Sequence, residues 1–106
     1  MDETEFATLA ERALGRIEVS LEESGVDADI GLKAGGVIEI EYSDGSRMVI
    51  NRHAAAREIW VAARAGGFHF RWDGGAWRDT RDGTELFAAL SKLVSAQSGQ
   101  PVTLRP

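Results

Sequence analysis

The hydrophobic residues of this chain change period twice, and the changes divide it into helix, sheet and helix. From about residue 3 to 24, Phe6, Ala10, Ala13, Ile17 and Leu21 recur at intervals of three and four, which places them on one helical stripe. Asp2 can cap the first turn with Glu5 three residues on, and Gly25 suits the left-handed stop. From residue 29 the period becomes two. Ile30 and Leu32 alternate in a short edge strand over 29–33, and Ala34-Gly35-Gly36 turns the chain. Ile38, Ile40 and Tyr42 then share one face of a strand over 37–42, opposite Glu39 and Glu41. Ser43-Asp44-Gly45 predicts a hairpin, with a return over 47–51 that turns Met48 and Ile50 inward and Arg47, Val49 and Asn51 outward.

Residues 52–57 read as a link whose three alanines are too few for a helix of their own. In the next strand, 58–63, the inward set of Ile59, Val61 and Ala63 is purely aliphatic, so Trp60 is expected on the other face with Glu58 and Ala62. Arg64-Ala65-Gly66-Gly67 is expected to turn, with Gly66-Gly67 as the hairpin turn itself. Phe68, Phe70 and Trp72 then alternate with His69 and Arg71, and Asp73-Gly74-Gly75 leads into a last short strand over 76–79. The helical period returns over about 84–97 in Leu86, Phe87, Leu90, Leu93, Val94 and Gln97, with Thr84 or Asp82 as cap and Gly99 as stop. Val102 and Leu104 are expected to pack back onto the body.

Every strand connection is too short for a parallel crossover, so about six strands form an antiparallel meander. Two amphipathic helices need one shared partner, which puts both on the same sheet face. The expectation is a two-layer α+β sandwich, one domain over residues 1–106, with the other sheet face open and Trp60 upon it.

Composition adds three constraints. The net charge of −5 argues against non-specific nucleic-acid binding. The charge is uneven: residues 1–30 carry nine acids against Arg12 and Arg16, a local −7, and the remainder carries eight acids against ten bases, +2. Such asymmetry marks an interaction surface. The absence of cysteine excludes disulfides, thiolate metal sites and a thiol nucleophile. The charged start is unlike a signal peptide and no apolar run approaches membrane-spanning length, so a cytoplasmic protein is expected.

Two groups of residues stand out chemically. At 100° per residue, Glu11, Glu18 and Glu22 fall within about 40° of one another, and Glu18 and Glu22 are one turn apart, near enough to share a hydrated cation. Glu23, Asp27 and Asp29 continue the negative charge. Carboxylate oxygens suit hydrated iron and other oxygen-seeking cations, but acids in a row form no closed shell, so binding would be weak and salt-sensitive. The plainer reading is a solvated helix face. The second group surrounds Trp60: Arg47, Asn51, Glu58, His69 and Arg71 should share its face, and a tryptophan among polar residues suits a partner anchor as well as ordinary sheet packing. His53 and His69 have no metal-ligand spacing, no Glu-x-x-His pair suggests an iron-oxidising enzyme, and no nucleophile–base set can be assigned.

The whole chain resembles the bacterial, CyaY-type frataxins. The resemblance rests on the helix–meander–helix order and on Val49-Ile50-Asn51-Arg52 running into Glu58-Ile59-Trp60-Val61-Ala62. Gly66-Gly67-Phe68-His69-Phe70 and Trp77 follow, all after an acidic first helix. It implies a non-enzymatic accessory protein that binds ferrous or ferric iron weakly at its surface and regulates iron–sulfur cluster assembly. By the resemblance, Glu11, Glu18, Glu22, Glu23, Asp27 and Asp29 would hold the iron. Trp60, Asn51, Glu58, Arg47, His69 and Arg71 would contact the cysteine desulfurase and scaffold protein. A monomer is expected, with metal-dependent oligomers as an alternative. The chain departs from the family pattern in lacking the proline after Asn51, in having Glu58 where glutamine is usual, and in Gly31 and Lys33 at strand positions that are often acidic. The alternative function is an interaction module with no physiological metal role.

Overall fold

A computed structural model describes all 106 residues. Helix α1 spans Glu3–Ser24, and six strands follow: β1 (Ala28–Lys33), β2 (Val37–Tyr42), β3 (Arg47–His53), β4 (Glu58–Ala63), β5 (Gly66–Trp72) and β6 (Trp77–Asp79). Helix α2, Leu86–Ser98, completes the set. The strands pair antiparallel in chain order, β1 to β6, so each hairpin fixes the register of the next strand. The fold is the two-layer α+β sandwich that the periodicity predicts.

Both helices bury their stripes against one sheet face. Phe6, Ala10, Ile17 and Leu21 of α1 and Leu86, Leu90 and Val94 of α2 share a core with Ile38, Ile40, Met48, Ile50, Ile59, Val61 and Phe70. Each of these side chains larger than alanine contributes about 1.5–3 kcal/mol on leaving water. Asp2 caps α1, its carboxylate accepting from the Glu5 N–H at 2.8 Å, and Gly25 ends the helix at φ 70°. Gln97, buried near the end of α2, ties that helix to two hairpins. Its amide donates to Ser46 Oγ and the Arg47 carbonyl, both at 3.1 Å, and accepts from the Arg64 N–H at 3.1 Å.

The tail lies beside both helices. The Val102 N–H donates to Ser95 Oγ and the Leu104 N–H to Ser91 Oγ, each at 2.8 Å, while Arg105 N–H reaches Ser20 Oγ of α1 at 2.9 Å. Val102 and Leu104 are buried as a result.

Several local expectations need correction, and the last strand starts at Trp77, not at 76. Strand β1 begins at Ala28, paired with Tyr42, one residue before the predicted 29. Strand β3 runs on to His53, because Arg52 and His53 pair with Ile59 and Glu58; only 54–57 turns, closing at Arg57 with φ 57°. Gly66 and Gly67 are strand residues paired with Ala63 and Ala62, so the β4–β5 turn is Arg64-Ala65. The cap of α2 is Glu85, whose carboxylate accepts from Phe87 N–H at 2.8 Å and Ala88 N–H at 3.0 Å. Asp82 instead closes the preceding turn on the Thr84 N–H.

Candidate docking face and acidic edge

The open sheet face is ordered by register. Asn51, Trp60 and His69 are neighbours across β3, β4 and β5, and His53, Glu58 and Arg71 form the next row. The two rows interlock through Trp60. Its ring lies 3.8 Å from that of His53 at 9° and 4.5 Å from that of His69 at 10°, both stacked. Trp60 is therefore half-buried between two imidazoles, not freely exposed as its alternation suggests. His53, which by sequence belongs to the link, is part of this face. Only the long-range pairing of His53 with Glu58 brings it here.

Glu58 locks the arrangement from the second row. Its carboxylate is buried, accepts from Trp60 Nε1–H at 2.8 Å and from Arg71 Nη2 at 2.6 Å, and lies 3.6 Å from His69 Nδ1. Burial pushes this carboxyl up, but the hydrogen bond from Trp60 and then the bond and charge of Arg71 outweigh it and hold the pKa below the ordinary glutamate value. His53 Nδ1 accepts from the Ala56 N–H at 3.3 Å, so the turn that follows β3 also fixes the ring. Asn51 donates from Nδ2 to the Arg52 carbonyl at 3.2 Å.

Arg47 shares the open face but not the cluster. It stands four residues from Asn51 along β3, about 13 Å at a strand's rise, and its guanidinium bridges Glu39 at 3.3 Å and Glu41 at 3.4 Å.

The acidic residues are not gathered round one hollow. Glu11 and Glu18 of α1 border a hollow of about 350 Å³ against the β1–β2 hairpin. Leu14 and Leu32 also line it, and Lys33 and Arg52 stand among the same lining residues as opposing charges. Arg52 is held there by the tight β1–β2 turn. Its Nε donates to the Gly35 carbonyl at 3.2 Å, and it passes so close to Gly36, at φ 77°, that a Cβ there would lie 2.7 Å from Nε. Asp27 and Asp29 border a different hollow with Glu41, beside Tyr42 and Ser43. Glu41 is the direct cross-strand neighbour of Asp29, an acidic pair the helix-based reading overlooked. Glu22 and Glu23 are exposed. No three Asp, Glu or His side chains converge tightly enough to ligate one metal ion. What this edge offers a cation is pairs of carboxylates and a diffuse negative field.

No helix is long and apolar enough to cross a membrane. Residues 1–100 match the model of the frataxin-like domain family. The iron–sulfur cluster assembly protein CyaY of Dechloromonas aromatica is 58% identical over 105 residues, covering 99% of this chain and 100% of that protein. Its counterpart from Ralstonia nicotianae is 51% identical over 107 residues, 98% and 95% of the two chains. Among solved structures, the frataxin of Psychromonas ingrahamii superposes with a TM-score of 0.90 at 30% identity over 100% of both chains. A ferrous complex of the trimeric frataxin from Saccharomyces cerevisiae superposes at 0.67 with 26% identity, covering 94% and 88%.

Proposed function

We propose that this chain, which belongs to the frataxin-like family, is a non-catalytic accessory protein of cytoplasmic iron–sulfur cluster assembly that docks on the cysteine desulfurase–scaffold complex through its open sheet. The single observation that carries the reading is Trp60, clasped between His53 and His69 and bonded to Glu58. An anchor held in place before the partner arrives loses little conformational freedom on binding. Asn51, Glu58, His69 and Arg71 frame it, and Arg47 contributes at the far side of the face through its link to Glu39 and Glu41. The names of the relatives support the assembly role.

Iron is cargo in this reading, not a resident cofactor. Glu11, Glu18, Glu22, Glu23, Asp27 and Asp29 supply hard oxygen donors, and Glu41 joins Asp29. Two carboxylates hold a hydrated cation loosely, which gives low affinity, low selectivity and loss with salt. The ferrous complex of the yeast protein supports this chemistry in the family. The protein works as a monomer, and sedimentation with and without ferrous iron tests that.

The test is a titration against the purified desulfurase–scaffold complex. Trp60→Ala is expected to lose most of the affinity; undiminished binding overturns the docking assignment. Ferrous iron added to labelled protein is expected to shift residues of α1 and β1, and Glu18→Gln with Glu22→Gln to weaken those shifts. A second reading, an interaction module with no physiological metal role, is favoured by the lack of three converging ligands. Calorimetry with ferrous iron at physiological salt separates the two, since heat of binding is expected only if iron is cargo.

A further inference from the structure

A second concavity lies between α1, the β5–β6 turn and the start of α2, and neither docking nor iron chemistry uses it. It encloses about 380 Å³, within the range of small-molecule sites. Leu9, Ala13, Trp72, Ala76, Trp77 and Phe87 supply its apolar lining. Trp77 is buried and Trp72 half-buried, their rings meeting edge to face at 5.6 Å and 62°. Phe6 supports Trp77 in the same manner at 6.0 Å and 77°. This is a preformed aromatic wall.

Arg12 and Arg16 also line the concavity, one turn apart on α1 and therefore side by side. Every arginine of the sheet and its loops holds an acceptor on the protein, as Arg78 holds Asp73 and Arg81 the Gly67 carbonyl. Arg12 and Arg16 make no ion pair and no side-chain hydrogen bond, and both are exposed. Glu85 and Pro106 also belong to the lining, and the Glu85 carboxylate is already engaged as the cap of α2. A guanidinium pair above an aromatic wall suits an amphiphile with an apolar body and a planar anionic head. We propose that this concavity is a binding site for a small arylalkyl carboxylate, its ring against Trp72 and Ala76 and its carboxylate across Arg12 and Arg16.

The chain has three tryptophans, hence three indole N–H resonances, two of them in this site and the third, Trp60, an internal control. Labelled full-length protein is titrated with 4-phenylbutyrate, with 4-phenyl-1-butanol and with butyrate. The expected result is saturable shifts of the Trp72 and Trp77 resonances with 4-phenylbutyrate while Trp60 stays put. The alcohol and butyrate should each bind at least about tenfold more weakly, the size of one lost charge-assisted hydrogen bond or ring contact. Arg12→Gln with Arg16→Gln, two exposed helix positions that leave the core untouched, is expected to weaken 4-phenylbutyrate by about tenfold and the alcohol hardly at all. The absence of saturation, equal movement of Trp60, or equal affinity of acid and alcohol in the wild type overturns the proposal.

Discussion

The open sheet face and the acidic edge hold comparable numbers of polar side chains and organise them in opposite ways. On the sheet, stacking, a buried carboxylate and strand register hold Trp60, His53, His69, Glu58 and Arg71 to one another. On the edge, Glu22, Glu23, Asp27 and Asp29 are exposed, and Glu11 and Glu18 border one hollow while Asp27 and Asp29 border another. The first arrangement is specific because its geometry is settled in advance. The second acts through charge alone and tolerates rearrangement. A protein that recognises one partner surface and also handles a loosely held cation needs both kinds.

The largest effect is expected at Trp60. Trp60→Ala is expected to weaken partner binding by about 30-fold or more, roughly 2 kcal/mol, as for a central aromatic anchor. Isothermal titration measures it, and an effect no larger than that of an edge carboxylate would erase the distinction. Next comes Glu58→Gln, which keeps an acceptor for Trp60 but removes the charge that Arg71 holds. Its expected cost is about 1 kcal/mol of folding stability at neutral pH in urea denaturation. The sign with pH follows from the depressed carboxyl. A group whose folded pKa lies below its ordinary 4.5 stabilises the fold above that value and loses the contribution as pH falls through the folded one. Wild type and variant are therefore expected to converge in acid below pH 4.5; a gap unchanged there would detach Glu58 from the lock. The smallest effect belongs to the edge. Glu18→Gln with Glu22→Gln is expected to move stability by less than about 0.5 kcal/mol, since neither carboxylate is in an ion pair and surface charges contribute little. It should nonetheless flatten the salt dependence of partner binding, whereas Trp60→Ala should leave that dependence intact.

Much of the frame was legible because periodicity is local. The stripe from Phe6 to Leu21 bounds α1, and the alternations of Val37–Tyr42 and Glu58–Ala63 bound β2 and β4 to the residue. The site was less legible because it depends on register. His53 follows a strand and precedes three alanines, so nothing local shows that it pairs with Glu58 and covers Trp60. The turn that permits it closes on Arg57 in a left-handed conformation, with no glycine or asparagine to announce it. Gly66-Gly67 misled in the other direction, being turn-like residues that the pairing with Ala62 and Ala63 draws into β5. Helical spacing aligned Glu11, Glu18 and Glu22, but only the β1–β2 pairing sets Asp29 beside Glu41.

The seam between tail and α2 works as a vernier. Extended chain advances about 6.6 Å over two residues and a helix about 6 Å over four. Val102 and Leu104 can therefore meet Ser95 and Ser91 tooth for tooth, running antiparallel to the helix. The match holds for one phase only. Inserting a single residue between Gly99 and Val102 would turn both apolar side chains toward solvent and present their polar-facing neighbours to the helices. The span between the end of α2 and Val102 is thus a gauge whose length, more than its composition, sets whether the seam closes.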